Sequence, residues 1–140
     1  MIVGAAALFD SSHRVLVAQR PSDGSMPDVW EFPGGKQRIG ENIRSTTCRE
    51  LLEELGIRIG EHKLCPFDVV EHSYETFDLV FHLFTCSKWE GHLTPVVHNR
   101  LRWVPLRQLS LYTCLLYTSD AADEGLVVEL GCRRIFKKKR

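Results

Sequence analysis

The sequence lacks an excess of charge of either sign, because 18 lysines and arginines balance 18 aspartates and glutamates over 140 residues. This balance gives no reason to expect binding to nucleic acid or to an acidic membrane surface, both of which select basic proteins. The chain also lacks the run of about 20 apolar residues that a membrane-spanning helix requires. Its apolar stretch at residues 1–9 has no basic flank and is short, so it predicts a buried strand. We therefore expect no nucleic-acid partner and no membrane partner.

Paired cysteines are missing as well. The five cysteines are odd in number and widely spaced, and none belongs to a Cys-x-x-Cys pair. This pattern argues against a disulfide framework and against a structural zinc site. It is typical of a reducing compartment, so we expect a cytoplasmic protein. A hydrophobic content of 44% in 140 residues suits one globular domain with a sizeable core.

Short apolar segments separated by turn residues predict a sheet-rich fold. The predicted strands are residues 2–9, 15–18, 29–32, 69–70, 77–86 and 101–104. We expect the first two to form a strand pair, and Pro33-Gly34-Gly35 to end the third. One helix is predicted from about Asn42 to Leu55, where Gly56 stops it. Strands flanking a single helix indicate an α/β sandwich.

The predicted helix carries clustered acids. Glu50, Glu53 and Glu54 follow the spacing i, i+3 and i+4 and so share one face. We expect an apolar stripe on the opposite face, formed by Cys48, Leu51, Leu52 and Leu55. Three close carboxylates repel one another unless a cation lies among them, and oxygen-only ligands suit Mg²⁺ or Mn²⁺ better than Zn²⁺. The alternative is a solvated acidic face without a ligand.

The residues around the helix follow a fixed spacing that favours a metal site over a solvated acidic face. Gly35 is followed after five residues by Glu41, and after seven more by Arg49-Glu50-Leu51. One residue later comes Glu53-Glu54, and one residue after that Gly56-Ile57. At every fixed position this pattern resembles the box that defines the Nudix hydrolases, and the closer similarity is to the MutT-like branch, the 8-oxo-dGTP diphosphatases.

The resemblance extends over residues 1 to about 113 and includes three further segments, Gln19-Arg20-Pro21, the run from Trp30 to Lys36, and Trp89-Glu90-Gly91. It implies a Nudix α/β/α sandwich with a mixed sheet. It also implies a Mg²⁺-dependent enzyme, with Mn²⁺ as a further candidate, that converts 8-oxo-dGTP-like oxidised purine nucleotides to monophosphate and pyrophosphate. The expected partner is a small-molecule nucleotide, and the expected state is a monomer. The alternatives are a pyrimidine nucleotide pyrophosphatase of the same fold and a nucleotide-binding module without turnover.

The resemblance assigns roles to individual residues. The implied metal ligands are Glu50, Glu54 and the carbonyl of Gly34. The implied catalytic residues are Glu50, Glu53, Glu54 and Arg49, and an i, i+4 pair is expected to let Arg49 orient Glu53. The implied substrate-binding residues are Arg20, Glu31, Phe32, Pro33, Gly34 and Lys36. Among these, Arg20 would donate to the base, Phe32 would form an apolar wall and Lys36 would meet the phosphates. The alternative for Arg20 is a surface arginine, for Phe32 a core phenylalanine, and for Lys36 a solvated lysine.

One departure from the family concerns the general base. The family often has a glutamate just before the strand at residues 101–104, and Val97 occupies that place here. Valine neither ligates a metal nor takes a proton, so the base must be another group, such as Glu53. His98 could substitute, although a lone loop histidine is more often structural.

The other departure is the end of the chain. Residues 114–124 resemble the translation of a transposon end used in preparing sequencing libraries, and residues 128–137 are close to the adapter that continues it. We interpret residues 1–113 as the Nudix domain and residues 114–140 as a non-native tail. The tail would replace the closing helix and the residue that reads the purine, so the preferred base is left open. A native basic tail that contacts nucleic acid is the alternative.

Overall fold

The computed structural model describes the backbone of residues 1–23, 29–73, 75–98, 100–111, 114–119 and 122–127, and side chains as far as residue 109. The predicted tail beyond residue 127 lies outside the described residues. The strands are β1 Ile2–Leu8, β2 Arg14–Gln19, β3 Trp30–Glu31, β4 Gly34–Lys36, β5 Cys65–Ser73, β6 Asp78–Cys86, β7 Arg100–Pro105, β8 Cys114–Ser119 and β9 Ala122–Val127. The helices are α1 Ile43–Leu55 and two 3₁₀ turns, Glu61–Lys63 and Leu106–Leu111.

The strands form two sheets. The first sheet has the order β4-β1-β6-β5, with β1 and β6 parallel and the other pairs antiparallel. The second has the order β7-β2-β3-β8-β9, in which β3 and β8 are parallel. Within the described ranges α1 is the single α-helix, and no helix there is long and apolar enough to cross a membrane. The predicted α/β fold with a mixed sheet is confirmed.

Strand β1 is the centre of the molecule, because both of its faces are buried. Val3, Ala5 and Ala7 join a cluster with residues of β2, β6 and β7, between the two sheets. Ala6 and Leu8 join a second cluster that includes the leucines of α1. A strand that is buried on both faces has apolar residues at successive positions, which explains the composition of residues 1–9.

The expected pairing of the first two strands is wrong. Strands β1 and β2 belong to different sheets and share only an isolated bridge between Phe9 and Val15. Strand β2 pairs with β3 and β7 instead. Val15 and Val17 thereby face β1 across the core between the sheets, which buries them more fully than a hairpin with one exposed face would.

The glycines after Pro33 do more than end a strand, contrary to the prediction. Strand β3 ends there, but Gly34–Lys36 immediately forms β4 on the edge of the first sheet, antiparallel to β1. Sequence propensity misses this strand because glycine is depleted in strands. Glycine is required here by space: a Cβ on Gly34 would overlap the carbonyl oxygen of Gly4 and lie 2.5 Å from the Cα of Ala5.

Local signals set both ends of α1, as predicted. The side chain of Asn42 accepts a hydrogen bond from the Ser45 N–H at 2.9 Å, and the Ser45 hydroxyl accepts one from the Asn42 N–H at 3.1 Å. At the other end, Gly56 adopts a φ of 71° and its N–H donates to the Leu52 carbonyl at 3.0 Å. The helix therefore begins and ends where its capping residues dictate.

The predicted apolar stripe of α1 is only partly correct. Leu51 and Leu55 are fully buried, but Leu52 is 45% exposed and Glu54 takes a buried position. The buried side of α1 is turned toward Glu54 because the helix packs on both β1 and β4.

The first prediction concerns the contact between α1 and β1. A Cβ on Gly4 would collide with the Thr47 hydroxyl and lie 3.0 Å from the Ile43 Cδ1. We expect Gly4→Ala to lower the free energy of unfolding by about 1–3 kcal/mol through overpacking, measured by urea denaturation. Gly60→Ala is the control, because its nearest contact is the exposed, movable ring of His62. Equal stability of the two variants would contradict the packing account.

Candidate active site

Glu50 of α1 lies directly against the backbone of β4. A Cβ on Gly35 would lie 2.6 Å from both carboxylate oxygens of Glu50, so this approach requires glycine. The Glu50 side chain is 17% exposed. The carboxylate is therefore held at the edge of the first sheet and still reaches solvent.

Arg49 connects the acids around this edge. Its Nε and Nη2 donate to the two carboxylate oxygens of Glu41 at 2.6 and 3.1 Å. Its Nη2 also donates to the Lys36 carbonyl at 3.0 Å, and its Nη1 donates to Glu50 at 2.8 Å and to Glu53 at 3.2 Å. The predicted contact with Glu53 is present, but the shorter bonds go to Glu41 and Glu50. Arg49 thus uses one guanidinium group to fix β4, α1 and the box loop, which is the segment of residues 37–42 between them.

These bonds change the protonation of both partners. The side-chain bond from Arg49 and the backbone bond from Arg38 lower the pKa of Glu41 from 4.5 to about 2. The hydrogen bond to Glu41, followed by the bond to Glu50, raises the pKa of Arg49 above its usual value. The Glu41–Arg49 pair is therefore ionised throughout the neutral range.

The Gly34 backbone points into the site. Ala5 pairs with Gly34, and the neighbouring Ala6 N–H donates to the Pro33 carbonyl at 3.0 Å. Because bonded and non-bonded pairs alternate in an antiparallel ladder, the N–H and carbonyl of Gly34 point away from β1. The Gly34 backbone also acts on Glu54, because it favours the charged form of that carboxyl group and so lowers its pKa. The Gly34 carbonyl therefore lies on the open side of β4, where α1 presents its carboxylates.

Glu54 is the buried carboxylate of the site, with a relative exposure of 8%. Burial, a hydrogen bond with Glu50 and the charges of Glu31 and Glu50 raise the pKa of Glu54 well above its usual range, against the opposing effect of the Gly34 hydrogen bond. Its closest basic group in the described part of the chain is the His98 ring, at 3.6 Å. Glu54 therefore lacks the cation that a buried carboxylate requires.

Glu31 and Arg20 extend the site toward the second sheet. Glu31, on β3, accepts a hydrogen bond from Arg20 Nη1 at 3.2 Å. Both side chains are nearly buried, at 12% exposure for Arg20 and 11% for Glu31. Arg20 is thus a held side chain at the wall of the site, and not a free surface arginine.

His98 completes the wall, and sequence reasoning gave it little weight. Its Nε2 lies 2.9 Å from Glu31 and 3.6 Å from Glu54, and its side chain is 2% exposed. The N–H groups of Thr94 and Val96 donate to the last carbonyls of α1 at 2.9 and 3.0 Å, which brings this segment to the site. No local motif marks the histidine, so only the fold could reveal its position.

The structure separates the remaining predicted residues. Lys36 is exposed, and Glu53 is 47% exposed at the rim of the site. Phe32 is 2% exposed and packs in the core between the sheets, the alternative that the sequence left open. Pro33 is buried and contributes its carbonyl to the ladder with β1. Val97 is 55% exposed, so its side chain adds nothing to the cluster.

The arrangement suits a divalent cation at the edge of β4. The carboxylates of Glu50 and Glu54 and the outward carbonyl of Gly34 supply oxygen ligands. Gly35 leaves the space that the Glu50 carboxylate occupies, and among the described residues Glu54 has no cationic partner other than a histidine. These residues therefore suit the divalent cation that a metal-dependent hydrolase needs.

Comparison with known proteins identifies the family of this chain. The family model described as the NUDIX domain matches residues 4–114. An 8-oxo-dGTP diphosphatase of Proteus vulgaris is 34% identical over 92 residues, covering 66% of this chain and 80% of the relative. A CTP pyrophosphohydrolase of Escherichia coli K12 is 35% identical over 107 residues, covering 74% of this chain and 75% of the relative.

Solved structures show the same fold. A MutT NUDIX hydrolase from Burkholderia pseudomallei superposes with a TM-score of 0.66 at 26% identity, covering 76% of this chain and 83% of that chain. A MutT protein from Methanosarcina mazei reaches 0.73 at 19% identity, covering 99% and 91%, which supports the fold alone. This chain therefore belongs to the Nudix family and is a MutT-like nucleotide hydrolase.

The second prediction concerns the Glu41–Arg49 pair. A carboxyl group with a lowered pKa stabilises the fold above its unfolded pKa, and this stability is lost as the pH falls toward 2. We expect Glu41→Gln to be less stable than the wild type at pH 7. The gap should close between about pH 4.5 and pH 2, measured by denaturant unfolding.

The control for this measurement is Glu61→Gln, which changes an exposed carboxylate on a 3₁₀ turn. It should match the wild type across the same pH range. A stability gap for Glu41→Gln that stays constant with pH would show that the pair is not the source.

Proposed function

We propose that this chain is a Mg²⁺-dependent nucleoside triphosphate diphosphatase. It hydrolyses 8-oxo-dGTP-like oxidised purine nucleotides to the monophosphate and pyrophosphate, and so cleanses the nucleotide pool for DNA replication. One observation carries the proposal: Glu50 and Glu54 converge on the glycine backbone of β4, and Glu54 is buried there with no arginine or lysine partner among the residues that the structure describes. Such a site attracts a divalent cation, and the cation in turn attracts a polyphosphate.

Several residues of the chain have separate roles in the proposed hydrolysis. A bound Mg²⁺ would neutralise and polarise the phosphate groups. Glu50, Glu54 and the Gly34 carbonyl would hold the ion, and Arg49 keeps Glu50 and Glu53 in place. Glu53 is the candidate base, because it is a rim carboxylate that can reach a water molecule and because Val97 cannot take a proton. Lys36, exposed beside the site, would meet the phosphate charge.

Arg20 is the candidate for base recognition. Its guanidinium is held by Glu31 at the wall of the site, so it can meet a purine with little loss of side-chain freedom. Phe32 is a core residue and would influence the base only through the position of Glu31. The purine assignment rests on the similarity to 8-oxo-dGTP diphosphatases.

A pyrimidine nucleotide pyrophosphatase is the second candidate. The supporting observation is the similarity to the CTP pyrophosphohydrolase, which covers more of this chain than the Proteus relative does. A nucleotide-binding module without turnover is the third, because Val97 replaces a family glutamate. The intact acids Glu50, Glu53 and Glu54 favour hydrolysis over binding alone.

The proposal includes the organisation of the chain. We assign residues 1–113 to the Nudix domain and residues 114–140 to a non-native tail, supported by a family match that ends at residue 114. Strands β8 and β9 then add tail backbone to the second sheet, beside β3. The protein would act as a cytoplasmic monomer.

The third prediction tests the substrate. We expect pyrophosphate release with Mg²⁺ to be faster for 8-oxo-dGTP than for dGTP, dCTP or CTP, measured on the full chain. Preference for a cytidine nucleotide would favour the second candidate. Nucleotide binding without pyrophosphate release would contradict the enzyme proposal. Repeating the panel with residues 1–113 joined to the closing helix of a MutT-like relative would show whether the tail limits the rate.

The fourth prediction separates the chemical role of Glu54 from its effect on stability. We expect Glu54→Gln to lower activity by at least about 10²-fold, roughly 2.7 kcal/mol of transition-state stabilisation. In EDTA the same variant should unfold with a free energy about 1 kcal/mol or more higher than the wild type, because it removes a carboxyl group that folding either buries as a charge or forces to take up a proton at neutral pH.

Glu61→Gln is the matched control and should change neither quantity, because its carboxylate is exposed. Unchanged activity in Glu54→Gln would refute the metal assignment. Lower stability in EDTA would refute the view that the wild-type carboxylate destabilises the metal-free fold.

A further inference from the structure

Three side chains from separate parts of the chain meet in one buried cluster. Glu31 comes from β3, Glu54 from α1 and His98 from the segment before β7. One potential ligand atom from each lies within 4.8 Å of the other two, and all three residues are buried. This Glu31–Glu54–His98 cluster shares only Glu54 with the oxygen-donor site at β4.

The donor set of the cluster differs from that of the Nudix box. His98 adds an imidazole nitrogen to two carboxylates, whereas the box offers oxygen alone. Imidazole suits Zn²⁺ and Co²⁺, while Mg²⁺ prefers an all-oxygen shell with several waters. The chemistry of the cluster therefore favours a different class of ion.

The spacing from the histidine to each carboxylate is close to that around such an ion. Bonds of about 2.0–2.2 Å from Zn²⁺ to nitrogen and oxygen place tetrahedral ligand atoms about 3.3–3.6 Å apart. The His98 Nε2 lies 2.9 Å from Glu31 and 3.6 Å from Glu54, and the ligand atoms of the two glutamates lie within 4.8 Å of each other. The Glu54 spacing already fits, and the Glu31 carboxylate would adjust to about 3.3–3.6 Å from its partners when an ion binds.

His98 presents one ring nitrogen to the cluster. Its side chain is 2% exposed, and Nε2 is the nitrogen that lies 2.9 Å from the Glu31 carboxylate and 3.6 Å from that of Glu54. A neutral imidazole binds a metal through one nitrogen while the other keeps its proton. Nε2 is therefore the atom with which His98 would coordinate an ion in the cluster.

Charge balance points to a cation. Arg20 bonds to Glu31, and Arg49 bonds to Glu50. Within the described residues, no arginine or lysine makes an ion pair with Glu54, which lies between these two acids. A dication beside Glu54 and His98 would supply the missing positive charge.

We propose that Glu31, Glu54 and His98 form a second, mixed nitrogen–oxygen metal site that binds Zn²⁺ or Co²⁺ in preference to Mg²⁺. Because Glu54 is shared, occupation of this site withdraws a ligand from the box. Zn²⁺ therefore competes with Mg²⁺ for the protein and lowers Mg²⁺-supported turnover. The last statement rests on the proposed function, but the site itself does not.

Metal binding to the full chain, stripped of metal with EDTA and free of nucleotide, tests the site. We expect calorimetry with Zn²⁺ to show one tight equivalent. Co²⁺ should give the visible absorption bands of a low-coordinate site that contains nitrogen. His98→Gln and Glu31→Gln should each weaken Zn²⁺ binding at least about 10-fold and weaken the Co²⁺ bands.

His62→Gln is the matched control, because His62 is an exposed histidine outside the cluster, and it should bind like the wild type. The binding data of a cluster variant are interpreted only if its circular dichroism in EDTA matches that of the wild type. Data from one folded cluster variant are enough to test the site. Wild-type protein that binds no Zn²⁺, or a folded cluster variant with unchanged affinity and spectrum, would overturn the site. A chain that binds Zn²⁺ but hydrolyses no nucleotide would refute the proposed function and leave the site standing.

Discussion

The hydrogen-bonded ion pair between Arg49 and Glu41 is the interaction on which the site depends. The guanidinium joins the box loop to α1 at 2.6 Å and also binds the Lys36 carbonyl at the end of β4. Its remaining donors hold Glu50 and Glu53. The acids of α1 would otherwise repel one another, and this one cation fixes two of them while it positions the backbone they face. The spacing between Glu41 and Arg49 in the sequence is thus a structural requirement for assembling the site.

The site also shows a conflict between stability and function. Gly35 gives up side-chain packing so that the Glu50 carboxylate can approach the backbone, and Glu54 is buried with no arginine or lysine paired to it in the part of the chain that the structure describes. Both features destabilise a metal-free fold. Strand β1, buried on both faces, and the capped helix α1 provide the rigid frame that tolerates this local cost. A cation would reverse the penalty at Glu54 and couple metal binding to folding.

The parts that could be predicted from the sequence are those fixed by local chemistry. Asn42 and Gly56 set the ends of α1, and the box spacing brings Glu50 and Glu54 toward one edge. The parts that were wrong or missed depend on distant contacts. The separation of β1 and β2 follows from the packing of two sheets, β4 exists because glycine fits beside β1, and His98 reaches the site only through bonds to the end of α1. No local pattern carries that information.

The central claim is that the edge of β4 and the acids of α1 form the metal centre of a nucleotide hydrolase. Anomalous diffraction from crystals soaked in Mn²⁺, which takes the oxygen ligands that Mg²⁺ takes, tests it most directly. The account predicts a peak within ligand distance of Glu50, Glu54 and the Gly34 carbonyl. A fully soaked crystal with no peak at these three groups would contradict it.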